Sequence, residues 1–276
     1  MKRILCSWAV LGLFVGAMGQ ARSDLMYFSE VFGGTIRRAN LDGTEETTLV
    51  GPLTTGPVGP ALDIAGGKMY WAENFTGEIW RANLDGTEPE NLISGLESPG
   101  GPALDLAGGW MYWVTGAFAS GDIRRAYLDG TGEEILVSGL ITPYGVALDI
   151  AGGKMYWAEN LTGEIWRANL DGTEPENLVS GLDRPGRPAL DLLGGQMYWP
   201  EFRAGAILRA NLDGSGQETL IEGQNQPTGI VLDVVGGLMY WANYVGGDIR
   251  RVNLDGSGEQ TLVTGLRGPA FIALAH

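Results

Sequence analysis

The chain has 276 residues, 44% of them hydrophobic, with 33 acidic residues against 18 basic ones and a formal net charge of −15. That apolar content is too high for a disordered chain, and the acidic balance repels phosphate backbones and anionic bilayers, which argues against a nucleic-acid partner. The one cysteine, Cys6, and the one histidine, His276, stand at opposite ends, which argues against a disulfide framework, a thiolate zinc site or a Cys–His catalytic pair.

The chain opens with Lys2 and Arg3, continues with an apolar stretch from Ile4 to Ala17, and reaches the small-residue site Gly19-Gln20-Ala21. This order predicts a secretory signal peptide over residues 1–22, and hence a mature protein, 23–276, that is secreted to an extracellular or periplasmic space. The mature chain then contains no cysteine and is more acidic still. No later stretch reaches the roughly 18 apolar residues of a membrane-spanning helix, so no membrane insertion is expected.

From residue 24 onward one unit recurs six times. Leu-Asp-Gly returns with its aspartate at Asp42, Asp85, Asp129, Asp171, Asp213 and Asp255, at intervals of 42 to 44 residues. An aromatic pair keeps the same beat, as Tyr27-Phe28, Tyr70-Trp71, Tyr112-Trp113, Tyr156-Trp157, Tyr198-Trp199 and Tyr240-Trp241. Residues 68–96 and 154–182 differ only at Phe75/Leu161 and Ile93/Val179, which points to duplication of a two-unit block. Each unit reads as four short strands, A to D. In the third, Pro102 to Asp105 is strand A, Gly108-Gly109 permits a tight hairpin, and Met111 to Val114 is strand B. Strand C follows over Asp122 to Tyr127, and Asp129-Gly130 turns it into strand D, Glu133 to Val137. Four-stranded units at this period, without any helical periodicity, predict an all-β, six-bladed β-propeller. The first unit lacks a strand A, and the last residues, Gly268 to Leu274, carry the strand-A pattern, so the C-terminus is expected to pair into the first blade and close the ring.

These residues resemble the YWTD repeats, the low-density lipoprotein receptor class B family. That family's strand B reads Tyr-Trp-Thr-Asp, its strand C Ile-x-Arg-Ala-x-Leu-Asp-Gly and its strand A Pro-x-Gly-Ile-Ala-Val-Asp. Here Ile79-Trp80-Arg81-Ala82-Asn83-Leu84-Asp85-Gly86 is a close match, and the arginine recurs as Arg38, Arg125, Arg167, Arg209 and Arg251. The Thr-Asp half departs, becoming Ser29-Glu30, Ala72-Glu73, Val114-Thr115, Ala158-Glu159, Pro200-Glu201 and Ala242-Asn243. The resemblance implies the propeller fold and, from relatives that bind peptides on one face with acidic and aromatic residues, a binding role. The disulfide-rich modules flanking the family's receptors have no counterpart here.

What all blades share is expected to build them. Trp71, Trp113, Trp157, Trp199 and Trp241 occupy one repeated position and are assigned to the core, and the six strand-C arginines are assigned to structure. The strand-A acids Asp63, Asp105, Asp149, Asp191 and Asp233 are too regularly spaced to converge on a metal, and pairing with those arginines is expected instead. What varies lies in the B–C and D–A loops, which antiparallel topology places on one face. That face carries the candidate ligand-binding residues Phe75, Phe118, Tyr144, Arg184, Arg187, Phe202, Arg203 and Tyr244, with Glu73, Glu159 and Glu201 at nearby strand ends. Asn74, Asn160, Gln224 and Asn225 lie among them, and Phe118 tips the longest B–C loop, Thr115 to Gly121. Aromatic and arginine side chains suit recognition of a protein or peptide. Asn74-Phe75-Thr76 and Asn160-Leu161-Thr162 have the form of glycosylation sequons.

The expected function is therefore non-catalytic binding by a monomer, with no cofactor and no metal. The alternative is a propeller enzyme of the lactonase or lyase type, with a carboxylate site in the central channel. Such enzymes often employ a histidine, whereas His276 is terminal; no phosphate loop, serine nucleophile elbow or HExxH motif is present.

Overall fold

The computed structural model describes residues 24–54, 56–116 and 120–276; the signal-peptide assignment and Phe118 lie outside them. Six antiparallel sheets of four strands follow one another around a ring. Strand A is Pro269–Ala275 in blade one and Pro57–Asp63, Ala103–Asp105, Pro143–Asp149, Ala189–Asp191 and Pro227–Asp233 in blades two to six. Strand B is Leu25–Glu30, Lys68–Glu73, Trp110–Thr115, Lys154–Glu159, Gln196–Glu201 and Leu238–Asn243. Strand C is Thr35–Asn40, Glu78–Asn83, Gly121–Tyr127, Glu164–Asn169, Ala206–Asn211 and Asp248–Asn253. Strand D is Thr47–Val50, Glu90–Ile93, Glu134–Leu140, Glu176–Val179, Glu218–Ile221 and Gln260–Thr264. The ring closes as expected: Leu25 pairs with Ala275 and Phe28 with Ile272, so the last strand is strand A of the first blade.

The Met-Tyr-Trp run of strand B works through the two-residue period of a strand, which sends Met and Trp to one face and Tyr to the other. Tyr70 packs with Met111 and Trp113 of the next blade, Tyr156 with Met197 and Trp199, and Tyr198 with Met239 and Trp241. Tyr240 completes the circle against Met26 and Phe28. The core is thus a set of inter-blade layers, in which the five repeated tryptophans are buried as expected.

The strand-C arginines serve the same joints. Each lies opposite the strand-B tyrosine in register, as Arg81 does to Tyr70, with its guanidinium 5.8 Å from that ring. From there Arg81 donates to Leu128 O of the next blade at 3.0 Å, Arg125 to Leu170 O at 3.4 Å, Arg167 to Leu212 O at 3.1 Å and Arg209 to Leu254 O at 3.2 Å. Arg251 makes the same bond across the seam, to Leu41 O at 3.3 Å. The charge partners of Arg81, Arg125, Arg167 and Arg209 are strand-D acids, as in Arg125 with Glu134 and Arg167 with Glu176 at 2.6 Å each, whereas Arg251 donates to the neutral Gln260 at that place. Arg38 faces Thr47 in that register, and its charge adds a minor part to the lowering of the pKa of Asp85 in the next blade, which hydrogen bonds from Thr87 chiefly cause.

This corrects the expected pairing of these arginines with the strand-A acids. Asp63, Asp105, Asp149, Asp191 and Asp233 each accept the N–H of the glycine three residues on, Gly66, Gly108, Gly152, Gly194 and Gly236, at 2.7–2.8 Å. The carboxylate closes its own A–B hairpin, a local bond that outcompetes a partner on another strand.

Candidate functional site

The B–C and D–A loops lie together on one end of the ring, the upper face, around a depression of about 340 Å³. Its wall includes Val31, Asn74, Phe75, Asn160, Phe202 and Tyr244 from the B–C loops, and Val58, Tyr144, Gly186, Thr228 and Ala270 from the starts of the A strands. Arg184, from a D–A loop, completes it.

Backbone bonds between the two loop sets hold this rim. In four blades the residue preceding the proline that leads into strand A offers its carbonyl to the first B–C residue: Gly56 O accepts from Asn74 N, Thr142 O from Asn160 N, Arg184 O from Phe202 N and Gln226 O from Tyr244 N, at 2.9–3.2 Å; in blade three Glu97 O accepts from Gly116 N at 2.7 Å instead. Four of the pre-proline residues, Ser98, Thr142, Arg184 and Gln226, adopt positive φ between 43° and 60° without being glycine, a conformation that costs roughly 1–2 kcal/mol each. The rim is a strained and well-tied structure.

Of the glutamates at the ends of strand B, Glu30, Glu159 and Glu201 tie the same loops from below. Glu30 Oε1 accepts from Arg267 N at 2.8 Å, Glu159 Oε2 from Ile141 N at 2.8 Å and Glu201 Oε1 from Asp183 N at 3.3 Å. Glu73 accepts from Trp71 Nε1 at 2.9 Å. All four are buried, because the two-residue period turns them to the same side as the strand-B Phe28, Trp71, Trp157 or Trp199. Burial raises the pKa of Glu73, Glu159 and Glu201 above the ordinary carboxylate value. In blade six Asn243 stands at this position, and Gln224 from the loop supplies the acceptor, bonding Asn243 Nδ2 and Trp241 Nε1 at 3.2 Å.

Of the sequence candidates, Phe75, Tyr144, Arg184, Phe202 and Tyr244 come together on the depression. Arg203 is exposed outside its wall, and Arg187 lies deeper, in the central channel. Asn74 and Asn160 donate through Nδ2 to Pro99 O and Pro185 O of the following blade at 3.2 Å, so the amide of each sequon is an inter-blade tie. Sequence reasoning missed Phe32, which is 60% exposed and packs at a tilt against Tyr244, ring centroids 5.4 Å apart. Its signal was present: Glu30-Val31-Phe32 repeats the spacing of Glu73-Asn74-Phe75. Tyr244 also meets Phe202, at 6.0 Å. Exposed Phe32, Phe75, Leu161 and Val245, all at one loop position, make an apolar crown around the depression. Within it, burial pushes the pKa of Tyr144 up to about 12 and raises that of Tyr244, so both hydroxyls remain protonated donors. Among the described residues, no three His, Cys, Asp or Glu side chains form a group suited to a metal ion.

No protein-family model matches the chain, and no curated protein sequence matches it. Solved structures do. A chain of the crystal structure of a nidogen/laminin complex matches at TM-score 0.83 and 25% identity, covering 92% of this chain and 98% of that one. TolB from Acinetobacter baumannii matches at TM-score 0.74 and 15% identity, over 92% of this chain and 66% of that one. A putative TolB from Agrobacterium tumefaciens matches at TM-score 0.64 and 15% identity, over 89% and 91%. The nidogen propeller match is consistent with the YWTD type of six-bladed propeller; the two TolB chains share the fold.

Proposed function

We propose that this six-bladed propeller, similar in fold to the nidogen propeller and carrying the YWTD-like repeat, is an exported, non-catalytic module that binds a protein or peptide on its upper face. The observation that carries the reading is the apolar crown of Phe32, Phe75, Leu161 and Val245 around a depression walled by Tyr144, Phe202 and Tyr244, with Arg184 at its edge. Exposed aromatics beside an arginine supply large contact area with little side-chain entropy to lose, the composition of binding hot spots. The strained, tightly bonded loops beneath them preorganise that surface, which reduces the ordering cost of association. The neighbour in a nidogen/laminin complex supports a protein ligand. Residues 1–22 serve as the export signal, and the monomeric mature chain begins after them.

The test is capture from the extracellular fraction by immobilised wild type and by a Phe75→Ser, Phe202→Ala, Arg203→Ala variant. All three positions are at the rim, so the melting curve should be unchanged while the captured protein is lost. Equal capture by both would remove the upper face from consideration.

A further inference from the structure

Below the depression the A strands draw together at a waist, two residues after each strand-A proline. Four of its six positions are glycine: Gly59, Gly101, Gly145 and Gly229. The crowding explains them, since a Cβ at Gly59 would fall 2.3 Å from Gly101 Cα and one at Gly229 would fall 2.0 Å from Ala270 O. The other two positions are Arg187 and Phe271, whose side chains occupy the axis that the glycines leave open. Arg187 lays its aliphatic stem over Gly145, where a Cβ would meet Arg187 Cβ, Cγ and Cδ within 2.8 Å. Its guanidinium sits 5.4 Å from the Phe271 ring, which stacks in turn on Tyr144 at 5.7 Å. These side chains separate the upper depression from a lower channel of about 310 Å³.

The lower channel is lined by Pro60, Pro102, Val146, Pro188, Ile230 and Ile272, and Arg187 is its one charged lining residue. Among the described residues Arg187 has neither an ion-pair nor a hydrogen-bond partner. Arg187 is half-buried, so its guanidinium meets an aromatic face, apolar walls and the water of the channel, and a bound carboxylate would replace that water with charged hydrogen bonds. The lower mouth has matching chemistry. It is ringed by the A–B hairpins, and where blades two to four place Ala65, Ala107 and Ala151 at the tip, blades five and six present Leu193 and Val235, which are 88% and 97% exposed.

We propose that the lower channel binds a small monocarboxylate with an apolar tail, its carboxylate on the Arg187 guanidinium and its tail along the proline, valine and isoleucine walls. The planar fork of arginine matches a carboxylate with two parallel hydrogen bonds. One cation compensates one negative charge, so phosphate dianions and polyanions fit poorly, and the acidic surface repels them further. The site is separate from the upper face and does not depend on what binds there.

Calorimetric titration of the purified protein with octanoate tests this, with 1-octanol and octylammonium as probes of the same length. Octanoate is expected to bind once per chain and to raise the melting temperature. Arg187→Gln is expected to weaken octanoate roughly tenfold to a hundredfold, the value of a charged hydrogen-bonded contact. Without ligand the same variant should melt no lower than wild type, because it removes an unpaired charge; a merely structural arginine would give the opposite result. Ala103→Phe, which narrows the channel and leaves Arg187 intact, should abolish octanoate binding and provides a second arm if Arg187→Gln does not fold. Octanol binding as tightly as octanoate, unchanged affinity in either variant, or no saturable heat would each overturn the proposal. None of these outcomes bears on protein capture by the upper face.

Discussion

The turn glycine of Leu-Asp-Gly has two reasons to be glycine, and they separate experimentally. Gly172 has φ of 84°, and a Cβ there would lie 2.2 Å from Leu136 O, in strand D of the preceding blade. Gly181, nine residues on, has φ of 81°, and a Cβ there would meet nothing within 4 Å. Gly181→Ala should therefore lose only the backbone preference, roughly 1–2 kcal/mol. Gly172→Ala carries that cost and must also push two blades apart by the better part of an ångström. Overpacking of this kind costs typically 1–3 kcal/mol, so a total of about 2–5 kcal/mol is expected. The same carbonyl-to-glycine contact recurs at Gly43, Gly86, Gly130 and Gly214, at 2.2–2.6 Å, and loosens to 3.1 Å at Gly256. Urea denaturation followed by tryptophan fluorescence would measure both variants, since the core tryptophans sit in those joints. Equal midpoints for the two would refute the claim that blade contact, and not turn geometry alone, selects glycine in the turn.

Two further outcomes are expected. Burial raises the pKa of Glu73, Glu159 and Glu201, so their protonated forms suit the fold and stability should rise as pH falls from neutrality through their titration. Hydrogen bonds from Thr or Ser to the turn aspartates, such as Asp85 and Asp213, lower their pKa, so that contribution is present above 3.8 and is lost as the pH falls further. Denaturation midpoints at pH 7, 5 and 3 should accordingly pass through a maximum, and Glu159→Gln, which keeps an acceptor for Ile141 N, should flatten the acid-side rise; a monotonic fall from pH 7 would count against the assignment. Arg184 holds φ of 60° at the rim, so Arg184→Gly should raise stability by about 1 kcal/mol while weakening capture by the upper face, and a loss of stability would show that no strain is stored there.

The repeat made most of the fold legible. A 42–44-residue interval, with two hairpin signals inside it, leaves few architectures, and the missing first strand with its C-terminal substitute was readable by aligning the units. The buried tryptophans were legible for the same reason. Partner choice among repeated charges was not. Asp149 and Arg167 both recur, and each of their side chains is long enough to suggest an ion pair, yet Asp149 turns back on Gly152 and Arg167 reaches across to Glu176 and Leu212. Short-range geometry decided between them, and spacing alone carries no such information.

Depth along the axis was the other hidden coordinate. Arg184 and Arg187 are three residues apart and look equivalent as departures from the repeat, but one lies at the upper rim and the other in the channel. What separates them is Pro185, which ends the loop, bridges to Glu201 and opens the inward run that leads into strand A at Ala189. From there each residue descends by about 3.3 Å, so three residues carry the side chain from the depression to the waist. The same count places Tyr144 one step above Gly145 and Phe271 one step below Ala270. Register against the proline therefore converts sequence position into height in the ring, and it is this height that sets Arg184 on the wall of the upper depression and Arg187 among the apolar residues of the lower channel.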